Sequence, residues 1–298
     1  MNVRADDIRW TDVRVDCDLC GPGPTRVLGY RGGASHRAGL GLRSRIVQCV
    51  SCGLIFPSPM PHPVERRDAA YGDVQRYFAR HDFDEKVEGY VRNLSEAEAH
   101  LGARGRMLDV GCGRGEALVA AARSGWSATG VEMSSAFASE ARTRAVSVRE
   151  GTLEECAFPP ASFDYVILGA VLEHVYDPRE LLREIRRVLR SKGLLFVEVP
   201  NEEGLYFRVG NAYQRVRGRD WVLNLSPTFE PFHVHGFSPR SLRRALELGG
   251  FRLVRLKTGA LSGETLPPGH EAVLARVVDR LGGVLGMGAH LEAWAEAI

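Results

Sequence analysis

The 298-residue chain predicts an α/β fold, a parallel sheet with helices on both faces, preceded by a small cysteine-rich module. Three observations predict it. From Arg106 onward, short apolar strands alternate with amphipathic helical segments; the first of these strands runs into the glycine-rich turn "MLDVGCGRG" at 107–115; and four of the six cysteines form two C-x-x-C pairs near the start.

Composition sets the frame. With 44% apolar and 26% charged residues the chain has material for a full core, and two domains are expected. The formal charge of +2 is too small to argue for nucleic acid by itself. Lys86, Lys192 and Lys257 are the only lysines among 39 basic residues, which leaves 36 arginines, a bias that reads as genome composition rather than a phosphate-binding surface. No apolar run reaches the length of a membrane span, and "MNVRADDIRW" lacks the apolar stretch of a secretory signal, so a cytoplasmic location and no membrane partner are expected.

The pairs Cys17/Cys20 and Cys49/Cys52 are each followed by glycine ("CDLCG", "CVSCG"). One tight turn presents two thiolates, the glycine lets the backbone fold beneath them, and two such turns complete a tetrahedral sulfur shell, which predicts a structural zinc ribbon with no open ligand position. A segment of about fifty residues needs such a staple. Pro57, Pro59, Pro61 and Pro63 then alternate, and a stiff extended connector outside any inner strand is expected. Residues 71–101 carry helical spacings and predict one or two helices, in which Tyr77 and Tyr90 are read as packing residues rather than cleft residues.

The alternating half follows in order: strand "RMLDV", helix 116–124, strand "SATGV", helix 134–144, short strand "VSVRE", strand "FDYVILG", helix "DPRELLREIRRVLR", strand "GLLFVEVP", helix 238–248, strand "FRLVRL" and helix "HEAVLARVVDRLGGVL". "AHLEAWAEAI" suits either a helix or a strand. In such sheets the ligand lies beyond the carboxyl ends of the strands. A dinucleotide turn needs Gly-x-Gly-x-x-Gly; here the third glycine, Gly115, comes one residue early and Glu116 follows it, where a carboxylate would repel a diphosphate. The ligand is therefore expected to carry no phosphate. The second strand ends at Glu132, about twenty residues on, where an acid can accept both ribose hydroxyls.

Taken together, the D-x-G-x-G-x-G turn (Asp109, Gly111, Gly113, Gly115), Glu132, "FDYVILGAVLEHV" and "RVLRSKGLLFVEVPN" resemble, in order, the motifs of class I S-adenosylmethionine-dependent methyltransferases, over roughly residues 70–260. The resemblance implies a Rossmann-like seven-stranded sheet, with "AHLEAWAEAI" as its last strand. It implies that Gly111 and Gly113 pass close to the methionine portion of S-adenosylmethionine, that Glu132 binds the ribose, and that Met133 packs on the adenine. Family members often place an acid at the end of the third strand; here Thr152 stands in that place, with Leu153 expected to give apolar and backbone contact. Cys112 is read as a small buried filler beside the cofactor, and Gly169 as part of the same pocket. The domains expected are a zinc ribbon at 1–56, a connector and helical lead-in at 57–101, and the methyltransferase domain at 102–298, with a substrate-capping insertion at 201–237.

Methyl transfer from a sulfonium needs alignment and, for a hydroxyl or activated carbon, a base. His174, beside Glu173 at the end of the fourth strand, is one candidate; His233 and His235, on the aromatic-rich insertion with Tyr206, Phe207, Tyr213, Trp221, Phe229 and Phe232, are the others. The H-x-H spacing places both histidines on one side of an extended segment. A catalytic metal at Glu173–His174, which some quinone-pathway relatives hold with an additional upstream acid, is disfavoured because Gly169–Ala170 replace that acid. A small-molecule acceptor is expected, a specialised metabolite or sugar nucleotide, with oxygen favoured over carbon. The alternatives are an RNA methyltransferase gripping nucleic acid through Arg26, Arg31, Arg37, Arg43 and Arg45 of the ribbon, and a non-catalytic cofactor-binding module.

Overall fold

A computed structural model describes residues 10–31, 43–64, 82–144, 146–225, 232–260 and 270–298. The central sheet has seven strands in the order β11-β12-β10-β9-β6-β7-β8. They are β6 (Arg106–Val110), β7 (Ser127–Glu132), β8 (Val148–Glu150), β9 (Phe163–Gly169), β10 (Leu189–Pro200), β11 (Phe251–Gly259) and β12 (His290–Ala297). All neighbours are parallel except the pairings that β12 makes with β10 and β11. "AHLEAWAEAI" is thus a strand, as the family resemblance implied. Its alternating Leu291, Ala293 and Ala295 are fully buried.

The strand order turns about β6, so the carboxyl ends of β6 and β9 diverge and open a crevice between them. On one face α1 (Phe83–Leu101) and α2 (Glu116–Arg123) cover β6; Val87, Leu94 and Ala97 of α1 are buried there with Ala120, Ala121 and Tyr165. Asp82 caps α1 by accepting from the Glu85 amide, and Gly102 ends it in the left-handed conformation. On the other face α4 (Pro178–Val188) buries Leu181, Leu182, Ile185 and Val188 at helical spacing. Helix α3 (Ser135–Arg142) lies between β7 and β8, α5 (Leu205–Val216) follows β10, α6 (Pro239–Leu248) precedes β11, and α7 (His270–Val284) precedes β12. Tyr77 and the proline pair Pro267–Pro268 lie outside the described residues.

The N-terminal module is a three-stranded antiparallel sheet of β2 (Thr25–Arg31), β3 (Ser44–Cys49) and β4 (Ile55–Pro57). A two-stranded ribbon joins it, β1 (Trp10–Val13) against β5 (Met60–Pro63). The proline segment is extended and lies outside any inner strand, as its spacing predicts: Ile55–Pro57 is an edge strand of the three-stranded sheet, and Met60–Pro63 pairs with Trp10–Val13 in the two-stranded ribbon. Alternating prolines leave the intervening amides able to bond on one side, which an edge strand tolerates.

The described part of the insertion at 201–237 reaches the cleft through Phe232 and otherwise runs along the rest of the fold. Its α5 packs beside α7, and its return strands run along the N-terminal module: the Tyr30 amide donates to the Asp220 carbonyl at 2.8 Å, Val222 to Tyr30 at 3.0 Å, and Ile55 and Gly236 exchange both backbone bonds. Among its described aromatics, Phe232 alone lines the cleft; Tyr206, Phe207, Tyr213 and Trp221 do not, and Phe229 lies outside the described residues. The insertion chiefly locks the module in place.

Candidate active site

A cleft of about 540 Å³ opens at the carboxyl ends of β6, β7 and β9. The turn after β6 builds its floor. Gly111, Gly113 and Gly115 all have positive φ, at 72°, 53° and 88°, a conformation that costs other residues about 1–2 kcal/mol each. A Cβ at Gly111 would also sit 2.5 Å from Val171, so glycine there answers both the backbone and the close packing. Glu132 ties the turn to β7: its carboxylate accepts from the Gly113 amide at 3.0 Å and from the Ser134 amide at 2.9 Å. Burial raises its pKa while these amides pull it back.

All nine residues expected at the cofactor converge here: Asp109, Gly111, Cys112, Gly113, Glu132, Met133, Thr152, Leu153 and Gly169 line the one cleft. Burial pushes the Cys112 thiol up, in keeping with a packing role. Glu116 is not a bare carboxylate, because Arg114 Nε donates to it at 2.6 Å, both side chains being buried. The case against a diphosphate therefore rests on the whole lining. Among the described residues Asp109, Glu116, Glu132, Glu154, Asp177 and Glu180 face only Lys86 and Arg114 across it. Burial, with Glu116 and Glu132 nearby, pushes the Asp109 carboxyl up to about 8. Such a lining repels phosphate and favours a cation.

The three histidines separate. His174 lines the cleft from the 3₁₀ turn Leu172–His174, with Nδ1 3.3 Å from the Phe232 carbonyl. That acceptor favours a proton on Nδ1 and leaves Nε2 as the basic nitrogen of the neutral ring. His233 sits behind it, edge-on at a centroid distance of 4.8 Å, and burial, His174 and Arg31 hold its pKa well below the usual histidine range. Donor atoms of Glu173, His174 and His233 all lie within 4.8 Å of one another. His235 is not brought to the cleft: it is fully buried, with one ring nitrogen 2.9 Å from the Val175 carbonyl and the other 2.6 Å from Asp18.

Trp10, Pro63, Tyr176 and Tyr90 are among the lining residues that the sequence did not point to. Trp10 and Pro63 come from the β1–β5 ribbon, Trp10 pairing with Phe232 at a centroid distance of 5.7 Å. Tyr176 stacks on His62 at 4.2 Å and donates to the Pro61 carbonyl at 2.8 Å. Tyr90, read as a packing residue, lines the cleft from α1, and its hydroxyl lies 2.6 Å from where a Cβ of Gly169 would stand, which is why that strand ends in glycine. Its helical spacing was visible; the direction of its face was not.

The four cysteines of the N-terminal module form a second cluster. All six cysteines are free thiols, and the four sulfurs of Cys17, Cys20, Cys49 and Cys52 fall within 4.8 Å of one another, Cys17 to Cys52 at 3.5 Å. Tetrahedral Zn–S bonds would set sulfurs about 3.8 Å apart. The two knuckles repeat one device: the Gly21 amide donates to Cys17 and the Gly53 amide to Cys49, both glycines with positive φ. The donor set and its spacing fit zinc.

Comparison with known proteins decides the family. Residues 78–256 match the methyltransferase domain family, which is more than half of the chain. The chain belongs to that family. A probable S-adenosylmethionine-dependent methyltransferase of Mycolicibacterium smegmatis is 29% identical over 76% of each chain. A ubiquinone biosynthesis O-methyltransferase of Pseudomonas aeruginosa is 33% identical over 55% of this chain and 69% of its own. Among solved structures, a SAM-dependent methyltransferase from Archaeoglobus fulgidus superposes with a TM-score of 0.50 at 22% identity, covering 70% of this chain and 94% of its own. A putative methyltransferase solved in complex with the Haloferax volcanii Trm112 activator gives 0.51 at 18%, covering 76% and 97%. These likenesses establish the Rossmann-like fold. This methyltransferase uses S-adenosylmethionine, which supplies an electrophilic methyl group on a cationic sulfur, and the acid-rich cleft suits that charge. No helix among the described residues is long and apolar enough to cross a membrane.

Proposed function

We propose that this enzyme methylates a small-molecule acceptor at oxygen in preference to carbon, a specialised metabolite being favoured over a sugar nucleotide because the acid-rich lining repels a diphosphate, with His174 as general base. The observation that carries the reading is that His174 shares one cleft with the glycine turn and Glu132, under an apolar wall of Trp10, Pro63 and Phe232. A base at the end of β9 can take the acceptor proton as the methyl group transfers, a contribution of about 10²–10⁴ in rate. In this reading Asp109, Gly111, Gly113 and Glu132 hold the methionine and ribose portions, and Met133, Thr152 and Leu153 hold the adenine. The preference for oxygen is supported by the name of the Pseudomonas aeruginosa relative. Cys17, Cys20, Cys49 and Cys52 hold a structural zinc in a ribbon domain ending near residue 56, joined through the 57–101 lead-in to the methyltransferase domain.

The ribbon arginines bear against the RNA alternative. Arg31 is fully buried and donates to the His233 carbonyl, Arg26 bonds Gln48, Arg45 bonds the Ser58 carbonyl, and Arg43 lies over the Tyr30 ring; Arg37 lies outside the described residues. Arginines engaged within the fold have less to give to phosphates. The test is S-adenosylhomocysteine release across a panel of phenols, hydroxylated metabolites and sugar nucleotides, with ribosomal RNA transcripts in parallel. Turnover on a member of the panel, lowered at least a hundredfold by His174→Ala at unchanged cofactor affinity, is expected. Methyl label found on RNA alone would overturn the proposal, and a requirement for added Mg²⁺ or Mn²⁺ would replace the base with a metal.

A further inference from the structure

The turn that presents His174 is held from the cysteine module, not only from its own sheet. Two consecutive amides, Val234 and His235, donate to the Glu173 carbonyl at 2.8 and 3.0 Å. His235 then bridges outward: Nδ1 to the Val175 carbonyl at 2.9 Å, Nε2 to Asp18 Oδ2 at 2.6 Å. The bond to the Asp18 carboxylate is of the strong, charge-assisted kind. Asp18 lies inside the first knuckle, between Cys17 and Cys20, where the Cys20 and Gly21 amides close on the Cys17 carbonyl. One residue past Val175, Tyr176 makes a second attachment, to Pro61 and His62. Among the described residues the glycine turn is braced within the sheet itself, by Glu132 and the Val131 carbonyl.

We infer that Asp18 and His235 are positioning residues through which the first cysteine knuckle sets the Glu173–Tyr176 turn, so that metal held by the cysteines governs the acceptor side of the cleft and leaves cofactor binding alone. The inference rests on the proposed zinc and on the proposed role of His174. A knuckle without its metal no longer fixes Asp18, the His235 ring loses its outer anchor, and the turn opens more often.

The test is hydrogen exchange by mass spectrometry over residues 171–176, with metal content by atomic emission and S-adenosylmethionine affinity by calorimetry, on the full chain. Asp18→Ala and His235→Ala are expected to speed exchange of the turn roughly tenfold or more while β6 and β7 stay protected, with cofactor affinity within twofold and metal retained. Asp18→Asn keeps an oxygen acceptor for the ring and should stay near wild type. Chelating the metal from wild type should speed the same peptides, and from Asp18→Ala should add nothing. Unchanged exchange at 171–176 in Asp18→Ala, or acceleration spread equally over β6 and β7, overturns the inference. If Asp18→Ala does not fold, the comparison of metal-loaded with chelated wild type and Asp18→Asn decides on the same peptides. A wild-type chain carrying no metal would sink the zinc proposal instead, while the Asp18 comparison would still stand.

Discussion

Replacing Asp109 with Asn removes a buried carboxylate with little change in side-chain shape. The wild-type group is nearly inaccessible, and burial, with Glu116 and Glu132 beside it, holds its carboxyl at about 8. At pH 7 about nine-tenths of the ligand-free protein therefore carries a proton there. A cationic cofactor favours the ionised form, so binding should release about 0.9 proton at pH 7 and about 0.5 at pH 8. Because the proton leaves on binding, affinity should rise up to tenfold per pH unit below pH 8 and flatten above it. The stability sign is the opposite. The folded pKa lies above the ordinary value of 3.8, so the group's contribution to the ligand-free protein is fully present below pH 4 and is lost as pH rises through 8. Calorimetry of S-adenosylmethionine binding in phosphate and in Tris reads the proton count from the difference in heats. Asp109→Asn should abolish most of the release and weaken binding, and should remove the loss of stability toward pH 8. Equal proton release in wild type and Asp109→Asn would refute the reasoning, because the released proton would then come from another group.

Gly111→Ala should abolish measurable cofactor binding and destabilise the fold by about 1–2 kcal/mol from the left-handed backbone alone, read by calorimetry and thermal melting, since its Cβ would also meet Val171 at 2.5 Å. Cys49→Ser should drop the metal content from one zinc per chain toward zero and lower the melting temperature, as Cys49 is buried beside Leu19, Leu54 and Phe56. Trp10→Ala should raise the KM for the acceptor about two- to tenfold, the worth of an aromatic pair, with unchanged cofactor affinity.

Much of the site was legible because it is local. The glycine turn, Glu132 one strand over and the knuckle glycines each depend on backbone geometry within a few residues, and the nine cofactor residues expected from the turn and from the family resemblance reach one cleft. His233 and His235 were not separable in this way. The rule that alternate residues share a side holds for a flat strand, in which successive amides also point opposite ways. Here the Val234 and His235 amides both reach the Glu173 carbonyl, so the backbone is twisted and sends His233 toward His174 and His235 toward Asp18.

The alternation of strands and helices, the glycine turn with its acid one strand over and the sulfur donor set could be read along the chain, because each follows from neighbouring residues and their spacing. That Trp10 and Pro63 wall the cleft, that Tyr90 faces it and that Asp18 reaches His235 across 217 positions of chain came from the folded arrangement. Those contacts join segments far apart along the chain, and their partners are chosen by how separately formed surfaces pack rather than by any local preference.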